Sequence, residues 1–508
     1  MRDLRAAVES RIATLSAAGV PGRIWERDHT LWGPEPKEIA DRLGWLTVHD
    51  EMRGRAGELA DFARGCASDG LRWAVLAGMG GSSLAPEVFA ASFGAGKGLL
   101  ELVVLDTTHP DQILFTLRSL DLRETLFVIA SKSGTTAETR SHFQYFWEQV
   151  PDGSRYVAIT DPGTPLAALA EERGFRRAFL NPPDIGGRYS ALSFFGLVPA
   201  ALAGVDLEPL LSGANEMAEA CKAPAGENPG AQLGAWMGEG ATLGRDKLTF
   251  AMPEKVASFG WWIEQLIAES TGKRGTGIVP VEGEALGPPG VYGDDRLLVT
   301  LGRAGDGPIV GWLERSGTPV LRLPLDHVVD LGAEMFRWEF ATAVAGAVLH
   351  VNPFDQPDVQ SAKDATNRVL SSGSVPEVEP GDLGELIGSV RPGDYVAIQA
   401  YVPRNAQDAA RLHAVRQRIR DELRVATTVG FGPRFLHSTR QLHKGGPNTV
   451  ACIQVVDPPA EDLAIPGEAF TFGTLLAAQA AGDLEALRAR GRRAVRVSLE
   501  ALEAAKWN

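Results

Sequence analysis

Residues 126–139 read L-F-V-I-A-S-K-S-G-T-T-A-E-T, and this stretch narrows the choice of fold more than any other in the chain. Leu126 to Ala130 is apolar and β-branched, the pattern of a strand buried on both faces. It breaks into Ser131-Lys132-Ser133-Gly134-Thr135-Thr136, which gathers four hydroxyls, a glycine and a cation into six residues. Thr135 and Glu138 have capping-box spacing, which predicts a helix start there. Phe143, Phe146, Trp147 and Val150 then mark one apolar face of that helix. A strand that opens into a hydroxyl-rich loop at a helix N-terminus suits an anion such as phosphate, because unpaired N–H groups and the positive dipole end face it. An ordinary Ser/Thr turn would read the same way, so the rest of the chain has to decide.

The surrounding pattern alternates strand and helix. Trp73 to Ala77 is a strand that enters Gly78-Met79-Gly80-Gly81-Ser82-Ser83, with a helix following near Leu84. This is neither G-x-G-x-x-G nor a G-K-[ST] loop, so a dinucleotide fingerprint and a P-loop are both excluded. Strands at Leu102 to Asp106 and Arg155 to Asp161 flank the opening strand, each followed by a helical pattern. Such alternation predicts a parallel, doubly wound sheet, whose ligands sit at the carboxyl ends of the strands. Asp184-Ile185-Gly186-Gly187-Arg188-Tyr189-Ser190 thins the backbone beside a cation, or is a turn with a surface arginine. The pattern then restarts. Lys247 to Met252, Arg296 to Leu301 and Pro319 to Leu325 read as strands, and Phe259, Trp262, Ile263, Leu266 and Ile267 mark a helix carrying Gln265 and Glu269. Val351 to Pro357 punctuates the unit before a helix with Gln360 and Lys363.

These readings divide the chain into a helical lead-in over 1–50, a first α/β domain over 51–205 and linker helices with a second over 206–370. A C-terminal α/β segment over 371–508, entered through a Ser/Gly/Pro-rich linker, is expected to complete the second sheet and the active site. In the lead-in, Arg23-Ile24-Trp25 and Leu31-Trp32 read as an aromatic clasp around His29.

Composition removes several classes of function. A net charge of −14 over 508 residues argues against nucleic acid. No apolar run reaches the roughly 20 residues that span a bilayer. Cys66, Cys221 and Cys452 are scattered and odd in number, which fits a reducing compartment such as the cytoplasm and opposes a cysteine metal site. Neither a metal nor an organic cofactor is expected.

Five motifs, G-M-G-G-S-S-L-A-P-E, S-K-S-G-T-T-A-E-T, G-G-R-Y-S-A-L-S, E-Q-L-I-A-E-S-T-G-K-R-G-T-G and N-P-F-D-Q-P-D-V-Q-S-A-K, resemble the glucose-6-phosphate isomerase family. The chain looks most like the isomerase part of fused transaldolase/glucose-6-phosphate isomerase proteins, from about Arg23 onward, which leaves no room for a transaldolase part ahead of it. The resemblance implies two SIS-type sugar-phosphate domains with a permuted C-terminal segment, and metal-free aldose–ketose isomerisation. It implies Glu269 as the base that moves a proton between C2 and C1. The helix C-terminus there disfavours the carboxylate and should make it more basic. It further implies Arg188 as the cation for the enediolate, and Lys363 and His437 as the ring-opening pair. Ser131, Ser133 and Thr136, with the backbone of Lys132, would hold phosphate, while Gly81, Ser82, Gln265 and Gln356 would line the sugar.

Two departures stand out. The histidine segment L-H-S-T-R-Q-L-H-K-G-G follows the Lys363 helix, as in the fused proteins, whereas in single-function isomerases it precedes it. Arg440 also replaces a glycine or aromatic residue, and His443 competes with His437. A separate transaldolase is a possible partner. The alternatives are a non-catalytic SIS-type sugar-phosphate sensor and an isomerase that also accepts mannose 6-phosphate.

Overall fold

The computed structural model describes residues 4–357, 366, 368–370, 378 and 381–507, and within them every strand ladder is parallel. The first sheet holds β1 (Trp73–Ala77), β2 (Glu101–Leu105), β3 (Thr125–Ala130), β4 (Tyr156–Thr160) and β5 (Arg177–Leu180), in the order β2-β1-β3-β4-β5. β3 is buried along its whole length, as its unbroken apolar run requires of a central strand covered on both faces. Strand order reverses between β1 and β3, so a crevice opens beyond their carboxyl ends. The glycine turn and the hydroxyl loop leave the sheet there.

The second sheet repeats the winding with β6 (Lys247–Ala251), β7 (Val279–Val281), β8 (Arg296–Leu301) and β9 (Val320–Leu323), ordered β7-β6-β8-β9. β10 (Tyr395–Tyr401), β11 (Ala426–Phe431), β12 (Val450–Val456) and β13 (Arg493–Val497) pair as β11-β10-β12-β13. This corrects the expectation that the C-terminal strands complete the second sheet, because they form a third sheet of their own. β7 is three residues long and centred on Pro280, which has no N–H to extend a ladder, so the second sheet ends there. Side chains bridge the gap instead. Val279 and Val281 share one buried cluster with Ala268, Tyr395, Ala397 and Ala426.

Helices Leu207–Ala220, Pro229–Thr242 and Leu331–Leu349 form the packed layer that joins the domains. Leu331–Leu349 is buried nearly all round, and each large apolar side chain it sequesters contributes roughly 1.5–3 kcal/mol. The lead-in docks on this layer: the Trp32 indole donates to the Ala343 carbonyl at 2.8 Å, and Trp25 stacks on Phe336. His29 meets the Pro34 carbonyl on a surface turn. The linker at 371–377 and 379–380 and the Gln360–Lys363 stretch lie outside the described residues. Among the described residues, no helix is long and apolar enough to cross a membrane.

Candidate active site

Beyond β1 the chain turns through Gly80–Ser82, where Gly80 has φ 54°. A side chain at Gly80 would press on the His437 carbonyl and lie 2.9 Å from the Gln265 amide nitrogen, and one at Gly81 would strike the Gly187 carbonyl. The glycines therefore let loops from three parts of the chain close on one point. Ser82 is buried in the same turn, and Ser83 Oγ donates to Asp106 at 3.1 Å.

Beyond β3, Ser131 Oγ and Thr136 Oγ1 lie 2.8 Å apart, and Ser133 and Thr135 hydroxyls pair at 2.9 Å. Lys132 sends its ammonium to the Asp161 carboxylate and to the Pro183 carbonyl, so only its backbone belongs to the loop. The helix begins at Ala137 with Thr136 as N-cap, but no capping box forms. Glu138 is instead buried and accepts hydrogen bonds from His437 Nε2 at 2.8 Å and Gln479 Nε2 at 2.7 Å. Burial alone would raise its pKa, yet the charge and hydrogen bond of His437 outweigh it and hold the carboxyl down at about 2.

The helix Phe259–Thr271 supplies Gln265 and Glu269, both buried and one turn apart. Gln265 Nε2 donates to Glu269 Oε2 at 3.0 Å and to the His437 carbonyl at 2.7 Å. Arg188 Nη1 stands 3.7 Å from the same Oε2. Arg188 is 1% exposed and fixed by donation to Ser270 Oγ and to the carbonyls of Pro353 and Asp355. Lys273 donates to the Asn352 carbonyl and to Asp355, and burial beside Arg188 pushes its pKa down to about 7.

The C-terminal segment reaches this point through the turn Arg434–His437. Arg434 Nη1 clamps Glu87 and Asp106 of the first domain at 2.5 and 2.7 Å, which anchors the segment across the site. His437 stays half-buried on Glu138, while His443 is 2% exposed with Nδ1 3.0 Å from the Tyr395 hydroxyl. The structure thus brings Gly81, Ser82, Arg188, Gln265, Glu269 and His437 together. Ser131, Ser133 and Thr136 stand at the neighbouring strand end. Gln356 is exposed at the end of its turn, and Lys363 lies outside the described residues. Sequence reasoning passed over Glu138 and Gln479. Glu138 looked like a capping residue, and Gln479 lies on an otherwise unmarked helix, Phe472–Ala489.

Doubly wound parallel sheets with a hydroxyl loop and a glycine turn at the crevice define an α/β protein with a ligand cleft at the strand ends. Residues 46–282 match the family model described as phosphoglucose isomerase. A probable glucose-6-phosphate isomerase of Haloarcula marismortui is 30% identical over 362 residues, covering 62% of this chain and 81% of that protein. A glucose-6-phosphate isomerase of Thermus thermophilus is 36% identical over 357 residues, 58% of this chain and 83% of that one. The structure of a hypothetical protein from the same organism matches with TM-score 0.62 at 29% identity, over 72% of this chain and 97% of that one. A glucose-6-phosphate isomerase from Chlamydia trachomatis shares the fold at TM-score 0.55 and 19% identity, over 70% and 78%. This chain belongs to the phosphoglucose isomerase family.

Proposed function

We propose that the chain interconverts D-glucose 6-phosphate and D-fructose 6-phosphate, a step of glycolysis and gluconeogenesis, in the cytoplasm. The observation that supports this most is the Glu269 carboxylate, whose Oε2 meets both the Gln265 amide and the Arg188 guanidinium, with the His437–Glu138 pair one side chain away. In this reading Ser131, Ser133, Thr136 and the Lys132 backbone hold phosphate, and Gly81 and Ser82 line the sugar. Gln356 and Lys363 are assigned by resemblance alone. His437, with Lys363, passes a proton from the anomeric hydroxyl to the ring oxygen, which opens the ring. Glu269 then removes the C2 proton, and Arg188 stabilises the charge that develops on the enediolate. The hydroxyl proton passes from O2 to O1, and Glu269 returns its proton to C1, so atoms and charge balance.

Glu269→Gln tests the reading. Turnover should fall about 10²–10⁴-fold, while affinity for a sugar-phosphate analogue changes little. Retention of half the wild-type kcat would mean that another group is the base. Among the described residues no three His, Cys, Asp or Glu side chains are placed to hold a metal ion. The resemblance implies a metal-free reaction, so activity should survive a chelator, and its full loss, restored by a divalent ion, would refute that scheme. A sensor would need only the anion loops, and that reading is not favoured. The likeness to fused proteins adds pairing with a separate transaldolase, which co-purification tests.

A further inference from the structure

Three residues beyond His437, Arg440 opens the helix Arg440–Gly445. Its side chain is 6% exposed, its Nε is buried without a partner, and among the described residues no hydrogen bond or ion pair reaches its guanidinium. Three other buried arginines each have acceptors. Arg188 donates to Ser270, Pro353 and Asp355, Arg434 clamps two carboxylates, and Arg416 donates to the Thr427 and Glu282 carbonyls. A desolvated guanidinium with no acceptor is costly, and a fold that keeps one next to a reaction centre leaves its N–H groups for something else.

Packing fixes where that group sits. The helix Arg440–Gly445 lies on the end of the Glu269 helix, where Gln441 Nε2 donates to the Gly272 carbonyl at 2.9 Å and the Leu442 backbone closes on Gly272. It also packs against the helix Phe472–Ala489, which carries Gln479 and Asp483. Three carboxylates on three elements act on the guanidinium by charge: Asp483, Glu138 and Glu269. Two of them are the proposed base and the partner of His437, yet neither is hydrogen-bonded to it.

We infer that Arg440 is a second substrate-contacting cation, whose N–H groups are taken up by sugar oxygens at the C1–C2 end of the bound substrate. The inference rests on the isomerase reading. An enediolate carries its charge on the oxygens of those two carbons, and a guanidinium already stripped of water stabilises it without reorganising. This gives the site two cations that act on Glu269, Arg188 anchored to protein and Arg440 left open.

Two probes separate this from a structural role. One is a five-carbon aldonate phosphate, whose carboxylate carries the charge of the enediolate. The other is the matching alditol phosphate, which has the same chain and no such charge. Arg440→Gln should weaken the aldonate roughly 10- to 100-fold, the loss of a charge-assisted hydrogen bond, and the alditol by no more than about threefold. Arg440→Lys should recover part of the aldonate affinity. Equal losses on both probes in the lysine variant, or no loss on either in the glutamine variant, would overturn the inference. Alditol binding also reports an intact site. If the glutamine variant loses it, the lysine variant decides by whether its loss is selective for the aldonate. A wild-type protein that binds neither probe and isomerises nothing would overturn the isomerase reading, and this inference with it.

Discussion

His437 and His443 stand six residues apart in one segment, and they occupy opposite surroundings. The His437 side chain keeps 23% of its surface exposed and bonds a carboxylate, Glu138, brought from the first domain. His443 is 2% exposed, faces the Tyr395 phenol and sits beside the buried Lys444–Asp483 pair. Burial pushes its pKa down to about 4, so it rests as a neutral core residue near neutral pH. Residue type and motif spacing are shared by the two. The partner and the access of water differ, and these decide which imidazole can handle a proton.

Replacing the first histidine should produce the largest effect. His437→Ala is expected to slow turnover of the cyclic substrate by about 10²-fold or more, the usual contribution of a positioned acid–base group. An open-chain analogue needs no ring opening and should be nearly unaffected. Equal losses on both would place His437 in the proton transfer or in the fold, and would break the contrast with His443. Glu138→Gln should cost less, roughly 10- to 100-fold on the cyclic substrate, because it replaces a charge-assisted hydrogen bond with a neutral one. The loss should again be confined to the cyclic form. A variant with unchanged kcat would show that the carboxylate only orders the helix start.

Much of the fold was legible in the sequence because its strands are apolar runs bounded by turns. β1 and β8 occupy the stretches their patterns predicted. β5, β7 and β11 were missed. Arg177–Leu180 and Val279–Val281 are too short for periodicity to register, and Ala426–Phe431 reads A-T-T-V-G-F, where two threonines and a glycine break the apolar run. Sheet membership was beyond reach for another reason. β10 and β12 are buried on both faces, so their side chains carry no sign of which ladder they join, and Pro280 acts only once β7 is known to be a strand. In the site, Glu269, Arg188 and Gln265 sit inside dense motifs and could be named from them. Glu138 could not, because its contact with His437 spans 299 residues and its spacing imitated a cap. Arg440 was noticed as a departure, but its burial without a partner is a tertiary fact.

The smallest expected effect belongs to His443 and is one of stability. His443→Gln keeps an amide that can meet the Tyr395 hydroxyl and should leave turnover within about twofold, since the ring touches nothing in the proposed site. Its signature lies in pH. The folded-state pKa is depressed from 6.5 to about 4, first by burial, with Lys444 and Arg492 adding to it and Asp483 opposing. Below 6.5 the unfolded chain binds this proton more readily than the folded one. The stability that depends on a neutral His443 is therefore complete above pH 6.5 and is lost as pH falls toward 4. At pH 5 that loss is on the order of 2 kcal/mol, and the glutamine variant, having nothing to protonate, escapes it. His49 and His142 are also pushed to about 4 by burial, so the variant removes one share of the acid sensitivity and leaves theirs. The measurement is the urea midpoint of wild type and variant at pH 7.5 and at pH 5. The variant should match or fall slightly below wild type at the higher pH and gain on it at the lower. A gap that stays constant between the two would mean that His443 does not titrate against burial, and that the two histidines differ less than their surroundings imply.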